Sequence, residues 1–392
     1  MFEQHSFFIS CALGSEKLLL SELEEFWYSL KNPDLTSANQ PFEILGTELG
    51  GILIQCPFHL GLQINLKSKI ANRVLWRLGQ FTTQRQQRLN EKIKKILTSY
   101  HLENLYFNYH VVSDRSKLFH EGRIAESLEH ICSPQGVKEN NSEKMNLYLR
   151  IQDDLCVLSL DTSGEHLHRR QFTRKKTAAP LRETLAATML KTLFEGLSRQ
   201  HLENSVLIDP CCGSGTLLFE ALTLYTDGIR QYDFQKIPFC PQFLKPDFRQ
   251  KNRDHHQLLK FWEFVGYDYD QHAHQTALDN LDSIQSQFPI ADFRFNFHVQ
   301  DSLKLEKLAP QDHSVFLISN LPYGHRIKSE KPVKEMVKAY HELFPASRSC
   351  WMSGEELETP VGYTKKFQRK MKNQGILVHL TVFQAADRLG SV

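Results

Sequence analysis

The spacing of apolar positions divides the chain into three stretches. In the first, residues 7–10 read as a strand, and residues 15–30 as a helix with Leu18, Leu19, Leu23 and Phe26 along one side. After a loop around Asn32, Pro33, Asp34 and Pro41, residues 42–45 and 51–55 read as a hairpin, and residues 59–71 as a second helix. The order β-α-β-β-α is a split βαβ layout. The second stretch opens on a strand at 72–78. It continues with a helix near 90–100, a strand at 106–113, a helix after 117–123, and strands at 146–149 and 156–161. The third begins with a helix reaching to about 194, with Leu185, Met189 and Leu190 or Leu193 at core spacing. Strands at 206–208, 264–267, 293–300, 314–319, 349–352 and 375–383 follow, the earlier ones alternating with helices. Residues from about 227 to 260 show little periodicity and read as an insertion.

Composition narrows the class without naming a function. A chain of 392 residues suits two or three domains. Hydrophobic residues at 41% and charged residues at 23% are those of a globular protein, which sets aside disorder and membrane-embedded classes. The net charge of +2 does not by itself point to nucleic acid. The opening MFEQHSFFISCAL lacks a basic n-region and a long apolar core, and no apolar run is long enough to span a bilayer, so a cytoplasmic protein is expected. The eight cysteines include no C-x-x-C pair. Cys211 and Cys212 are expected to be small buried side chains, and no structural metal is expected.

Chemistry concentrates in the third stretch. In SVLIDPCCGSGTLLFEAL, residues 205–222, a short apolar run ends at Asp209 and Pro210, two glycines follow at Gly213 and Gly215, and a helical pattern starts at Thr216. Strand, glycine loop and helix start make a ligand cradle. Leu218 stands where a dinucleotide fingerprint needs a third glycine, and Thr216-Leu217 where a P-loop needs Lys and Ser/Thr, so both fail. A plain tight turn is the alternative. Asp268, at the end of the next strand, faces the crevice of a doubly wound sheet, where a carboxylate accepts from ribose hydroxyls; Asp270 is the less favoured neighbour. Asp301, after the strand that follows, either accepts from an adenine amine or caps a helix.

The buried run at 314–319 leads into Asn320-Leu321-Pro322-Tyr323-Gly324. An exocyclic amine on a base is a poor nucleophile because its lone pair is delocalised. The Asn320 side-chain oxygen and the Leu321 carbonyl offer two acceptors to hold its hydrogens and aim the lone pair. Pro322 fixes the backbone, and Tyr323 offers a face on which a flipped base would stack. A strand ended by an Asn-x-Pro turn is the alternative. Two basic clusters complete the inventory: Arg169, Arg170, Arg174, Lys175 and Lys176 around Phe172, and Lys365, Lys366, Arg369, Lys370 and Lys372. The first is either a solvated linker or a phosphate track, and Arg326 could also grip phosphate.

Several of these strings resemble a known family. DP-x-CGSGT is similar to motif I of class I S-adenosylmethionine (SAM) methyltransferases acting on RNA, and NLPY to their motif IV. ANRVLWRLGQF, HVVSDRSKLFHEGRIAES and SLDTSGEHLHRRQF resemble the THUMP-domain guanine-N2 RNA methyltransferases of the 23S rRNA and tRNA kinds. The resemblance implies an α/β fold: a C-terminal Rossmann-like class I methyltransferase fold with a seven-stranded, doubly wound sheet, preceded by α+β ferredoxin-like and THUMP domains. The expected boundaries are 1–71, 72–164 and 165–392.

It further implies SAM as cofactor, held by Asp209, Cys212, Gly213, Gly215, Thr216, Asp268 and Asp301. APLRETLAA matches the family where Pro180, Arg182 and Glu183 cover the cofactor's methionine end, although plain helix-start residues remain the alternative there. rRNA or tRNA is the implied partner, a monomer the favoured state, and Asn320, Leu321, Pro322 and Tyr323 the catalytic set. The family usually has Gly at Gln171 and more often Pro at Leu321. Adenine-N6 methylation, and an RNA-binding chaperone with a vestigial SAM pocket, are the rival readings.

Overall fold

A computed structural model describes residues 4–30, 42–134, 144–170, 175, 181–228, 230–245, 258–288, 294–305, 313–323, 332–344, 346–373 and 375–386. The chain forms two compact units. Residues 1–11, 23–167 and 230–253 make the first, and residues 12–22, 168–229 and 254–392 the second.

The elements in residues 4–161 are β1 (Gln4–Ser10), α1 (Glu16–Leu30), β2 (Glu43–Glu48), β3 (Gly51–Pro57), α2 (Phe58–Lys67), β4 (Arg73–Thr82), α3 (Gln86–Ser99), β5 (Phe107–Asp114), α4 (Glu121–Cys132), β6 (Met145–Gln152) and β7 (Leu155–Asp161). The first turns of α1 fall in the second unit. The strands form one seven-stranded sheet in the order β2-β3-β1-β4-β7-β6-β5. β1 lies antiparallel between β3 and β4, and β4 pairs β7 on its other side, so the sheet crosses the expected 71/72 boundary without a break. Alternation decides the faces: Met145, Leu147, Leu149 and Ile151 of β6 point inward. In α3, Leu89, Ile93 and Leu97 do the same at four-residue spacing.

The weakly periodic stretch after residue 227 is organised by the first unit rather than by the strands it interrupts in sequence. Arg230 Nη2 donates to the carbonyls of Ser163 and Glu165, Phe234 N donates to Thr162 O, and Phe239 packs on Phe58 and Trp76.

The second unit contains α5 (Glu183–Leu193), α6 (Arg199–Glu203), β8 (Ser205–Asp209), α7 (Thr216–Leu222), β9 (Glu263–Asp268), α8 (Gln271–Gln287), β10 (Phe295–Val299), β11 (Ser314–Asn320), α9 (Val333–Leu343), β12 (Arg348–Ser353), β13 (Tyr363–Asn373) and β14 (Ile376–Ala385). Its sheet runs β10-β9-β8-β11-β12-β14-β13, parallel as far as β12 and antiparallel in the last two strands. The strands grow outward in both directions from the β8/β11 pair, which is the doubly wound arrangement. One face packs against α5 and α7 through residues such as Leu185, Met189, Leu218 and Phe316. The other packs against α9 through Met336, Val337, Tyr340 and Phe344. β13 was not anticipated as a strand, because its lysines hide the alternation that leaves Met371 buried and Phe367 half-buried.

Among the described residues no helix is long and apolar enough to cross a membrane.

Candidate active site

The carboxyl ends of β8, β9 and β11 meet where the strand order reverses, the crevice in which an open α/β sheet takes ligands. Register aligns them: Ile208 pairs with Leu317 of β11, and Asp209 with Gly266 of β9. Asp209 is 1% exposed. Its Oδ1 accepts from the Ser319 hydroxyl at 2.7 Å and from the Cys211 amide at 3.1 Å. Burial pushes the carboxyl up to about 7, the two hydrogen bonds oppose that, and the Asp268 charge adds to the rise. Asp209 thus braces the loop from beneath, and its bearing on a ligand runs through the loop it positions.

A pH prediction follows. As pH rises from about 4 to about 7, the unfolded chain releases the Asp209 proton while the folded chain keeps it, so this group's contribution to stability falls across the window and levels off above it. Asp209→Asn keeps an acceptor for Ser319 and Cys211 and removes the titration. The melting temperature of the wild type relative to this variant is expected to drop between pH 4 and pH 7; parallel curves would show that Asp209 titrates normally.

Gly213 and Gly215 have φ of 54° and 80°, the left-handed region that glycine adopts without strain. The loop they shape is tied to β9. Gly213 N donates to Asp268 Oδ2 at 2.9 Å, and Cys212 N to Tyr267 O at 2.9 Å. Gly266 has no room for a side chain, since a Cβ would stand 2.7 Å from the Phe297 ring and 2.9 Å from Cys212 Sγ. Ser214 and Thr216 share a hydroxyl contact at 3.2 Å where α7 begins.

Asp268 Oδ1 accepts from the Asp270 amide at 3.0 Å. Burial raises its pKa, the amides of Asp270 and Gly213 oppose the rise, and the Asp270 charge adds to it. Asp270 itself caps α8, accepting from His272 N at 2.8 Å. Asp301 also caps: it accepts from Leu303 N at 3.1 Å and pairs with Lys304 at 3.3 Å, with its side chain 38% exposed.

At the end of β11 the chemistry changes. Asn320 Oδ1 is buried and has no hydrogen-bond partner among the described residues. Leu321 is buried and donates its amide to Met352 O at 3.0 Å, which fixes the turn into Pro322. Tyr323 is half-buried. Its hydroxyl accepts from Asn373 Nδ2 at 2.6 Å and lies 3.8 Å from Met352 Sδ. Gly324 and Arg326 lie outside the described residues.

Arg182 is exposed at the start of α5 and Glu183 is buried beside it; Pro180 lies outside the described residues. Arg169 is exposed, while Arg174 and Lys176 lie outside the described residues. Arg170 is held inward. Its guanidinium makes a two-pronged contact with Glu220 of α7, at 2.9 and 3.4 Å, with side chains 9% and 1% exposed. This pairing holds the Arg170 guanidinium against α7, so its charge is already partnered inside the fold. Lys175 pairs with Asp279, which draws the Asp279 carboxyl below its ordinary range.

Three residues escaped the sequence reading. Ser319 holds Asp209. Asn280, 1% exposed, donates to the carbonyls of Ser214 and Lys175 at 3.1 Å each and accepts from Lys175 N at 3.2 Å, so α8 clasps the glycine loop and the basic linker together. Asn373 holds Tyr323. Asn280 alone left a local signal, a polar residue on the buried stripe of Ala273, Thr276, Ala277 and Ile284.

The crevice therefore combines a glycine loop, an acidic pair biased toward holding protons or cations, and a buried acceptor held open. The chain is 26% identical over 409 residues to the ribosomal RNA large subunit methyltransferase K/L of Cellvibrio japonicus, covering 97% of this chain and 51% of that protein. It is 27% identical over 356 residues to that of Methylococcus capsulatus, covering 86% and 44%. The chain thus spans about half the length of the curated relatives it matches. In structure it is similar to a possible methylase from Clostridium difficile 630 (TM-score 0.75, 22% identity, 99% of this chain and 100% of that one). It is equally similar to SMU.472, solved in complex with SAH (TM-score 0.75, 19% identity, 100% of both chains). These likenesses show the fold. The family described as RMKL-like, methyltransferase domain, matches residues 170–376, just over half of the chain, and the chain belongs to that family.

Proposed function

We propose that this protein is a SAM-dependent RNA methyltransferase that methylates the exocyclic N2 amine of a guanine in large-subunit rRNA. The observation that carries the reading is Asn320 Oδ1, a buried acceptor with no protein partner among the described residues. Leaving such a group unmade costs about 1–3 kcal/mol, so its partner is expected to be a ligand, and an amine hydrogen supplies one. The Leu321 carbonyl takes the second hydrogen and Tyr323 stacks on the base. With the amine so held, methylation from bound SAM would exchange the methyl C–S bond for an N–C bond, and the displaced N2 proton would pass to solvent water.

SAM supplies an electrophilic methyl on a positively charged sulfur and departs as SAH. The residues present fit it: Asp268 stands at the end of β9 beside the glycine loop, and the glycines at 213 and 215 let the loop backbone come close. Asp268 takes the ribose hydroxyls. Asp301 keeps lone pairs for the adenine amine beside its capping contact, while Pro180, Arg182 and Glu183 border the methionine end. Cys212 and Thr216 line the loop. Arg169, Lys175 and the residues near 174, 176 and 326 meet RNA phosphates, and the first unit captures the RNA in the manner of a THUMP domain. The large-subunit rRNA methyltransferases among the relatives support rRNA as the substrate.

The test is transfer from labelled SAM to separated rRNA and tRNA from a strain lacking this gene, followed by nucleoside mass spectrometry. N2-methylguanosine in rRNA is the expected product. N6-methyladenosine would overturn the base, label confined to tRNA would overturn the substrate, and SAM binding with no label in either RNA would overturn the reading as a whole. Tyr323→Ala is expected to weaken base engagement by about 1–3 kcal/mol, read as a higher KM for RNA. An unchanged KM would remove Tyr323 from the site.

A further inference from the structure

The basic cluster at 365–372 is a strand, and its placement gives it work that the proposed function has not used. β13 reads TKKFQRKMK from Thr364 to Lys372, with Lys365, Lys366, Arg369, Lys370 and Lys372 and no acidic residue, in a chain whose net charge is only +2. Its buried side chains anchor it: Met371 sits in the core and Phe367 packs against it. Two of the cations are spoken for. Arg369 donates to Gly14 O at 3.1 Å, and Lys365 faces Glu356 at 3.6 Å. Lys366, Lys370 and Lys372 are exposed and have no acidic partner among the described residues. Lys366 is the extra residue of a bulge, between Lys365 opposite Phe383 and Phe367 opposite Val382. Lys370 and Lys372 leave the same face of the strand, about 7 Å apart at the usual rise.

Lysines on an edge strand often serve to prevent strand-to-strand aggregation. Here that need is already met at the end nearest the crevice, because Lys372 N donates to Leu13 O and a Cβ on Gly14 would stand 2.7 Å from Lys370 O. β13 is antiparallel to β14, which is antiparallel to β12, which is parallel to β11. β13 therefore ends at the same end of the sheet as β11. Its last residue, Asn373, makes the 2.6 Å hydrogen bond to Tyr323, and the Asn373 Oδ1 beside that bond is itself buried with no partner among the described residues. A row of uncompensated cations thus leads to the tyrosine that the proposed function places against the base.

We propose that β13 is a phosphate rail, with Lys366, Lys370 and Lys372 holding the backbone of the RNA strand that carries the target base. The inference rests on the RNA methyltransferase reading. It is tested on the full chain with protein-free large-subunit rRNA as the probe, measuring affinity by filter retention across a potassium chloride series. The wild type is compared with K366Q/K370Q/K372Q and with K366R/K370R/K372R. Each lost phosphate contact to a single strand should make the slope of log affinity against log salt shallower by about 0.7, so the glutamine triple should lose about 2 in slope. Affinity for SAM should be unchanged, and the arginine triple should bind RNA as the wild type does. Should the glutamine triple aggregate, Lys370→Gln and Lys372→Gln made singly should each remove about 0.7 of slope. A slope and affinity equal to the wild type in the glutamine variants, with wild-type methylation of rRNA intact, would overturn the rail alone. A wild type that binds SAM but shows no salt-dependent affinity for rRNA would overturn the RNA reading and the rail with it.

Discussion

Asn320→Ala is expected to lower turnover on RNA by about 10²–10³-fold while leaving the affinity for SAM within about twofold of the wild type. The reasoning starts from burial. The Asn320 oxygen is closed off from solvent and no described residue donates to it, so removing it disturbs no protein hydrogen bond and should cost little stability. What is lost is the acceptor that aims the amine, an interaction worth most when the lone pair must point at the methyl. Equilibrium titration with SAM and single-turnover methylation separate the two effects. A comparable loss of SAM affinity would contradict the assigned role, and unchanged turnover would leave the orphan oxygen without a function.

Asp268→Ala is expected to give the mirror image. In the folded chain the carboxylate already accepts from two backbone amides, those of Gly213 and Asp270. It therefore shapes the glycine loop as well as offering oxygens to the ribose. Hydrogen bonds to a charged group contribute about 1.5–3 kcal/mol each. Losing the ribose contacts and the loop's anchor together should raise the Kd for SAM by about 10²–10³-fold. Turnover at saturating SAM should recover to within about tenfold. Asp268→Asn keeps one acceptor for Gly213 and should fall between. An Asp268→Ala protein that binds SAM normally would move the ribose elsewhere, with Asp301 the next residue to examine.

Much of this architecture can be read from local patterns. The strand, loop and helix of residues 205–222 appear as β8, the glycine turn and α7, because apolar run length and paired glycines are local properties. The strand ends that place Asp209, Asp268, Asp301 and Asn320 are legible for the same reason. The residues that hold them are not. Ser319 reaches Asp209 across 110 residues of sequence, Asn280 reaches Lys175 across 105, and Asn373 reaches Tyr323 across 50. Nothing in a serine inside an apolar run, or an asparagine before a glycine turn, announces a distant partner. Arg170 is a further case. In sequence it belongs to a basic run, and only folding reveals Glu220 buried against it. The stretch after residue 227 was hidden because irregular backbone held by carbonyls of residues 162–165 leaves no period to detect.

The crowding at Gly266 bears on how this protein can change over time. A side chain there would have to displace both the Phe297 ring and the Cys212 sulfur, which occupy the space a Cβ would take. Alanine at 266 should therefore be rejected in a selection for activity unless a smaller residue appears at 212 or 297. The three positions form an epistatic knot, in which a step permitted at one depends on a step already taken at another. Because Cys212 is also part of the glycine loop, the cheapest first step is a smaller apolar side chain at 297.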